Sequence, residues 1–145
     1  MQDVSTFRLY VLRAMYLVIA AGLAVYIWPV YLKAPQGVEH MRGVVLSVLA
    51  AVSLLAVLGI RYPLQMIPLL LFELLWKVLW IAAIGFPLWR AGALAGGEAQ
   101  TMFDNLLGLV LVPLALPWRY VIATYVRRPG DRWRGSAPGP EADPA

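Results

Sequence analysis

The 145-residue chain has no cysteine and a single histidine, His40. The first absence removes disulfides, thiolate nucleophiles and cysteine-held metals together. The second leaves no histidine pair for zinc or haem within one chain. Charge is also scarce: Asp, Glu, Lys and Arg make up 14% of the residues, where a soluble domain carries roughly a quarter. The 12 Lys and Arg outnumber the 8 acids, yet they gather at the ends of apolar runs and form no basic face, which argues against nucleic acid as a partner. What fills the chain is apolar, at 61% hydrophobic residues and a mean hydropathy of +0.72. A chain this short and this apolar is expected to form one integral membrane domain.

Four apolar runs are long enough to cross a bilayer, which takes ~20 residues. The spacing predicts spans at about residues 9–31, 43–60, 64–88 and 102–126. The first follows basic residues, as a signal peptide would. It outruns a signal h-region, however, and ends in Tyr26-Ile27-Trp28-Pro29 instead of a small-x-small cleavage site, so an uncleaved helix is expected. Tyr10 and Tyr16, with Trp28 and Tyr31 at the far end, fit interfacial aromatic belts. Pro35, Gly37, Glu39 and His40 form a polar turn before the second span. That span carries no charge, and its small residues Gly43, Ser47, Ala50, Ala56 and Gly59 would allow close approach of a neighbour. Arg61-Tyr62-Pro63 is too short a link for anything but antiparallel neighbours. The third span starts at Ile67 or bends at Pro68, and Gly85-Phe86-Pro87 closes it. The fourth contains Pro113 and Pro117; each frees a carbonyl one turn earlier, so a bent helix is expected, with carbonyls open to a buried donor.

With both termini on one side, Arg8, Arg13, Arg61, Arg127, Arg128, Arg132 and Arg134 fall together, against Lys33, Arg42 and Arg90 opposite. The positive-inside bias then places both termini in the cytoplasm. The expected fold is an all-α membrane protein, four transmembrane helices in an up-down antiparallel bundle over residues 1–134, followed by a disordered cytoplasmic tail, 135–145. Arg127, Arg128, Arg132, Trp133 and Arg134 would contact anionic headgroups or serve simply as topology determinants.

Chemistry concentrates in Phe72-Glu73-Leu74-Leu75-Trp76-Lys77. An ionisable group at the centre of a membrane helix costs about 2.5 to 3.5 kcal/mol, so each calls for a partner, a wet cavity or a task. Glu73 and Lys77 are i,i+4 in the favourable order. Arg119, on a fourth helix antiparallel to the third, would lie at a similar height, which predicts a buried network of Arg119, Glu73 and Lys77. Three readings stay open. The charges fix helix register, or Glu73 relays protons in a small transporter that needs a homo-oligomer, or the group forms a polar pocket for a lipid or quinone headgroup lined by Trp76, Trp80 and Trp118. Nothing points to an enzyme: Ser5, Ser47, Ser53, Thr101 and Thr124 have no histidine partner, and Glu73 and Asp104 are expected at different depths. Asp104-Asn105 is expected to cap or flank the outer end of the fourth helix, and His40 to be solvated. No catalytic residue, metal or cofactor is assigned.

The stretches 61–77, 116–121 and 129–134, Arg61-Tyr62-Pro63-Leu64-Gln65 and Leu116-Pro117-Trp118-Arg119-Tyr120 among them, resemble a group of small bacterial inner-membrane proteins with no assigned activity. The outline is also similar to DoxX-like four-helix membrane proteins, some associated with respiratory or oxidative-stress functions, in helix count and size and not in any motif. The resemblance implies four helices and a bacterial plasma membrane, and no chemistry. The functional expectation is a non-catalytic membrane component or partner subunit, its partners being the bilayer and a membrane protein or a second copy. The alternatives are a small oligomeric proton-coupled transporter or a lipid- or quinone-binding membrane protein.

Overall fold

The computed structural model describes residues 4–33 and 38–130. Pro35 and Gly37, the headgroup candidates Arg132, Trp133 and Arg134, and the tail 135–145 lie outside the described residues. Within them the chain is all-α. Helix α1, Thr6–Tyr26, is capped by Ser5, whose hydroxyl accepts from Arg8 N, and continues through Ile27 into α2, Trp28–Lys33. Helix α3, His40–Arg61, starts a turn before the expected boundary because the Glu39 carboxylate accepts from Met41 N and Arg42 N, 3.0 Å each. Helix α4 spans Ile67–Trp80 and places Pro68 in its first turn, where a missing N–H costs nothing. Its axis passes through a π-turn, Ile81–Gly85, into α5, Phe86–Arg90. Pro87, expected to close this segment, sits at the start of the resumed helix, and the wide turn before it absorbs the missing bond.

Three continuous stretches, Thr6–Lys33, His40–Arg61 and Ile67–Arg90, are long and apolar enough to cross a membrane. The region expected as the fourth span behaves differently. Helix α6 runs Gly96–Ala115, six residues ahead of the expected start, and tolerates Pro113 inside it. Leu116 is extended, Pro117 follows, and α7, Trp118–Val121, with its π-helical continuation Ile122–Arg127, leaves at 79°. Only taken together do α6 and this bent segment meet the same length and hydropathy criteria. Two prolines four residues apart predict a bend; the extended Leu116 turns it into a break.

Neighbouring helices run antiparallel. Helix α1 lies along α3 and α6, and α4 lies along α6 and α3. The α1–α3 seam is the tightest. Gly59 faces the Tyr16 ring so closely that a Cβ there would fall 2.5 Å from Tyr16 Cδ1. Ala56 is fully buried and Ser53 nearly so, and Ser53 Oγ donates to Ala20 O at 3.2 Å. Of the small residues of α3 expected to allow close approach, Ala50, Ala56 and Gly59 are buried, and Ser53, not among those expected, joins them. Ser47 is exposed and bonds its own helix at Gly43 O. At one end of the seam Arg13 Nε donates to Ile60 O at 3.2 Å and Tyr16 Oη to Pro63 O at 3.0 Å. In a lipid setting, where apolar side chains gain nothing by leaving acyl chains, such packing and interhelical hydrogen bonds are what hold helices together. The buried core joins Leu12, Tyr16 and Ala20 of α1 to Val52 and Ala56 of α3, Ile67 and Leu70 of α4, Val112 of α6, Leu116 at the break and Val121 beyond it.

Candidate functional site

The helix seams leave a cavity of about 400 Å³ lined by residues of α1, α3, α4 and α6. Most of its wall is apolar, from Met15, Ile19, Leu23, Leu49 and Leu111 among others, but one side carries Glu73, Trp76 and Lys77 of α4 facing Asp104, Asn105 and Gly108 of α6. Three features of the sequence produce that side. Glu73, Trp76 and Lys77 fall at i, i+3 and i+4 and so share one helix face. Asn105 and Gly108 are three apart on the facing helix. Gly108, lacking a side chain, gives the Lys77 stem room: a Cβ there would lie 2.6 Å from Lys77 Cε and 2.8 Å from Cδ.

Glu73 and Lys77 form a salt bridge through Glu73 Oε2, with only 7% of the carboxylate side chain and 12% of the lysine side chain exposed. The Lys77 ammonium also sits 4.2 Å from the centre of the Trp76 ring, a cation–π contact that offsets part of its desolvation. The rest of the polar inventory is unmatched. Glu73 Oε1, Trp76 Nε1 and Asn105 Nδ2 are buried without a hydrogen-bonding partner among the described residues. Leaving a buried donor or acceptor unpaired costs about 1–3 kcal/mol, more for a charged group. Three such atoms on residues of one cavity amount to one acceptor and two donors, a pattern that fits a ligand offering both a hydroxyl-type donor and oxygen acceptors.

The expected site residues divide. Glu73 and Lys77 come together as expected, and Trp76 lines the cavity with them. Trp80 does not: its ring packs over Gly85, where a Cβ would meet Cζ3 at 2.7 Å. Trp118 lies at the break, 43% exposed, with its indole donating to Pro113 O at 2.8 Å. Arg119 is not part of the Glu73–Lys77 pair. It is exposed and lines a separate cavity with Arg8, because the 79° turn at Leu116–Pro117 carries it off the α6 axis. Arg127 and Arg128 are exposed at the end of the bent segment. Asp104 and Asn105 are no cap. Helix α6 begins at Gly96, so both lie in its interior, Asn105 only 2% exposed and Asp104 exposed with Oδ1 accepting from Gln100 Nε2 at 2.9 Å. Asp104 and Glu73 line the same cavity at different heights, as expected: Lys77 abuts Gly108 and Gly85 abuts Met102, so Asp104 faces α4 well beyond Glu73. Asn105 was the functional candidate missed, and its signal was present: Asn105, Gly108 and Val112 recur at helical spacing on one face.

Comparison with known protein families, characterised proteins and solved structures gives no match to this chain.

Proposed function

We propose that the chain crosses a bacterial inner membrane four times, with both ends on the cytoplasmic side, as a non-catalytic membrane component. Its cavity receives the oxygen-bearing head of an otherwise apolar ligand, a lipid or quinone. The observation that carries this reading is that Glu73, Trp76 and Asn105, each with an unpartnered buried side-chain atom, all line one largely apolar cavity. Its volume lies within the range of roughly 300–1,000 Å³ usual for small-molecule sites. A carboxylate oxygen takes a ligand hydroxyl, the indole and carboxamide N–H groups take carbonyl or ether oxygens, and the apolar wall takes the chain that follows. Lys77, held by Glu73 and Trp76, offsets the charge of the Glu73 carboxylate.

The topology rests on charge. Arg8, Arg13 and Arg61 cluster where α1 begins and α3 ends, and Arg119, Arg127 and Arg128 follow α6, against Lys33, Arg42 and Arg90 at the other helix ends. That bias favours the first set on the cytoplasmic side. In this arrangement α6 is the fourth crossing and the segment after Pro117 lies in the interface. The bacterial membrane rests on the resemblance of residues 61–77, 116–121 and 129–134 to small inner-membrane proteins.

The test is extraction from native membranes in a mild detergent followed by mass spectrometry of the bound apolar fraction. An oxygen-headed apolar species should accompany the wild-type chain and be depleted from Asn105→Leu and Trp76→Phe. Equal recovery from all three would reject the assignment. The free Glu73 oxygen also favours a second reading, a proton carrier in an oligomeric transporter. That reading requires Glu73→Gln to lose pH-dependent flux in proteoliposomes while remaining folded.

A further inference from the structure

The geometry points to the cavity at the break, between Arg8 and Arg119, as a binding site for the phosphodiester of an anionic glycerophospholipid. It rests on none of the cavity residues discussed above and stands or falls separately. The argument starts from the two prolines. Pro117 has no N–H for the carbonyl of Pro113, and the break at Leu116 strips the helical partner from Leu114 O. Both acceptors are recaptured: Trp118 Nε1 donates to Pro113 O at 2.8 Å, and Arg8 Nη1 to Leu114 O at 3.1 Å. The guanidinium of α1 is thereby tied to the break. Just beyond it lies Arg119 of α7, so two arginines line one cavity of about 510 Å³ together with Ser5, Trp118 and Tyr120.

Among the described residues no carboxylate lines this cavity and neither arginine has an acidic partner. A guanidinium carries five N–H donors, of which Arg8 commits one to Leu114 O. The remaining donors of two planar forks suit a tetrahedral phosphate better than any other common anion of the interface. The source of that phosphate follows from the segment itself. Trp118, Ile122, Tyr125 and Val126 are 43%, 42%, 46% and 74% exposed on a stretch turned 79° from α6, whereas Val121 packs inward. An exposed apolar row with Trp and Tyr, flanked by Arg119, Arg127 and Arg128, has the make-up of a segment lying in the headgroup layer. A lipid phosphate is delivered at that depth and a solution phosphate is not.

The test is native mass spectrometry of the full chain released from nanodiscs containing phosphatidylglycerol and phosphatidylcholine. Wild type should retain phosphatidylglycerol preferentially. Arg119→Gln, at an exposed position where folding is undisturbed, should lower that retention about tenfold. Arg127→Gln, eight residues on by sequence, should stay within about twofold of wild type. Arg119→Lys, which keeps the charge without the fork, should recover part of the loss. Unchanged retention in Arg119→Gln would overturn the proposal, as would equal losses at Arg119 and Arg127, which would mean bulk electrostatics. Displacement of the lipid by excess inorganic phosphate would also overturn it, by making a free anion the ligand.

Discussion

The α1–α3 seam and the α4–α6 seam both bury polar groups in an apolar setting, and they treat them oppositely. Along α1–α3 each such group is spoken for: Arg13 on Ile60 O, Tyr16 on Pro63 O, Ser53 on Ala20 O, and Trp28 Nε1 on Ser53 Oγ at 3.4 Å. Along α4–α6 one salt bridge is made and Glu73 Oε1, Trp76 Nε1 and Asn105 Nδ2 are left over. A low-dielectric interior strengthens a satisfied hydrogen bond and penalises an open one. The first seam thus has the signature of structure. The second keeps an energetic debt that a fold would shed by substituting apolar residues unless something else discharges it.

That contrast can be broken by substitution. The largest effect is expected at Glu73→Ala, which leaves the Lys77 ammonium buried without its counter-charge; the loss should be about 3–5 kcal/mol, read as a lowered midpoint of thermal unfolding in detergent. Next comes Gly59→Ala. The new methyl meets the fully buried Tyr16 ring, and overpacking of this kind costs about 1–3 kcal/mol. Gly108→Ala should cost less despite a similar approach distance, because what it meets is the bendable stem of Lys77. An equal loss at both glycines would erase the distinction between a rigid seam and a yielding one. Tyr16→Phe removes the donor to Pro63 O and should cost about 0.6 kcal/mol, the average for interhelical hydrogen bonds in membranes, and no more than about 1.7 kcal/mol, the largest such value. The smallest stability change is expected at Asn105→Leu, which removes an unsatisfied amide and so should be neutral or slightly stabilising in the absence of ligand, while ligand retention falls. A destabilisation by Asn105→Leu as large as that of Tyr16→Phe would make Asn105 structural.

Much of the fold was legible because it follows from local chemistry. Long uncharged runs give helices of membrane length, and Pro68 two residues into a helix gives a start or a bend, of which the start is found. Glu73 and Lys77 pair because i,i+4 spacing admits little else. Arg119 was misplaced for a definite reason. Proline predicts that a helix bends, whereas the angle depends on whether the next residue stays helical, and the Leu114 carbonyl beside the extended Leu116 is taken by Arg8, 106 residues away. Asn105 was hidden by a boundary. With the fourth helix started at Met102, a polar pair near its end looks like a cap; started at Gly96, the same pair lies in the interior. Trp80 and Trp118 share their residue type with Trp76 but not its position on the helix face or its element, and position decides what lines a cavity.

The central claim is that the open polar atoms of the α4–α6 seam are completed by a ligand. It is tested most directly by delipidating the wild-type chain and the Asn105→Leu variant, adding back the apolar extract of native membranes, and measuring the shift in unfolding temperature of each. The account predicts a clear rise for wild type and little or none for Asn105→Leu. An equal rise in both, or no rise in wild type, would contradict it.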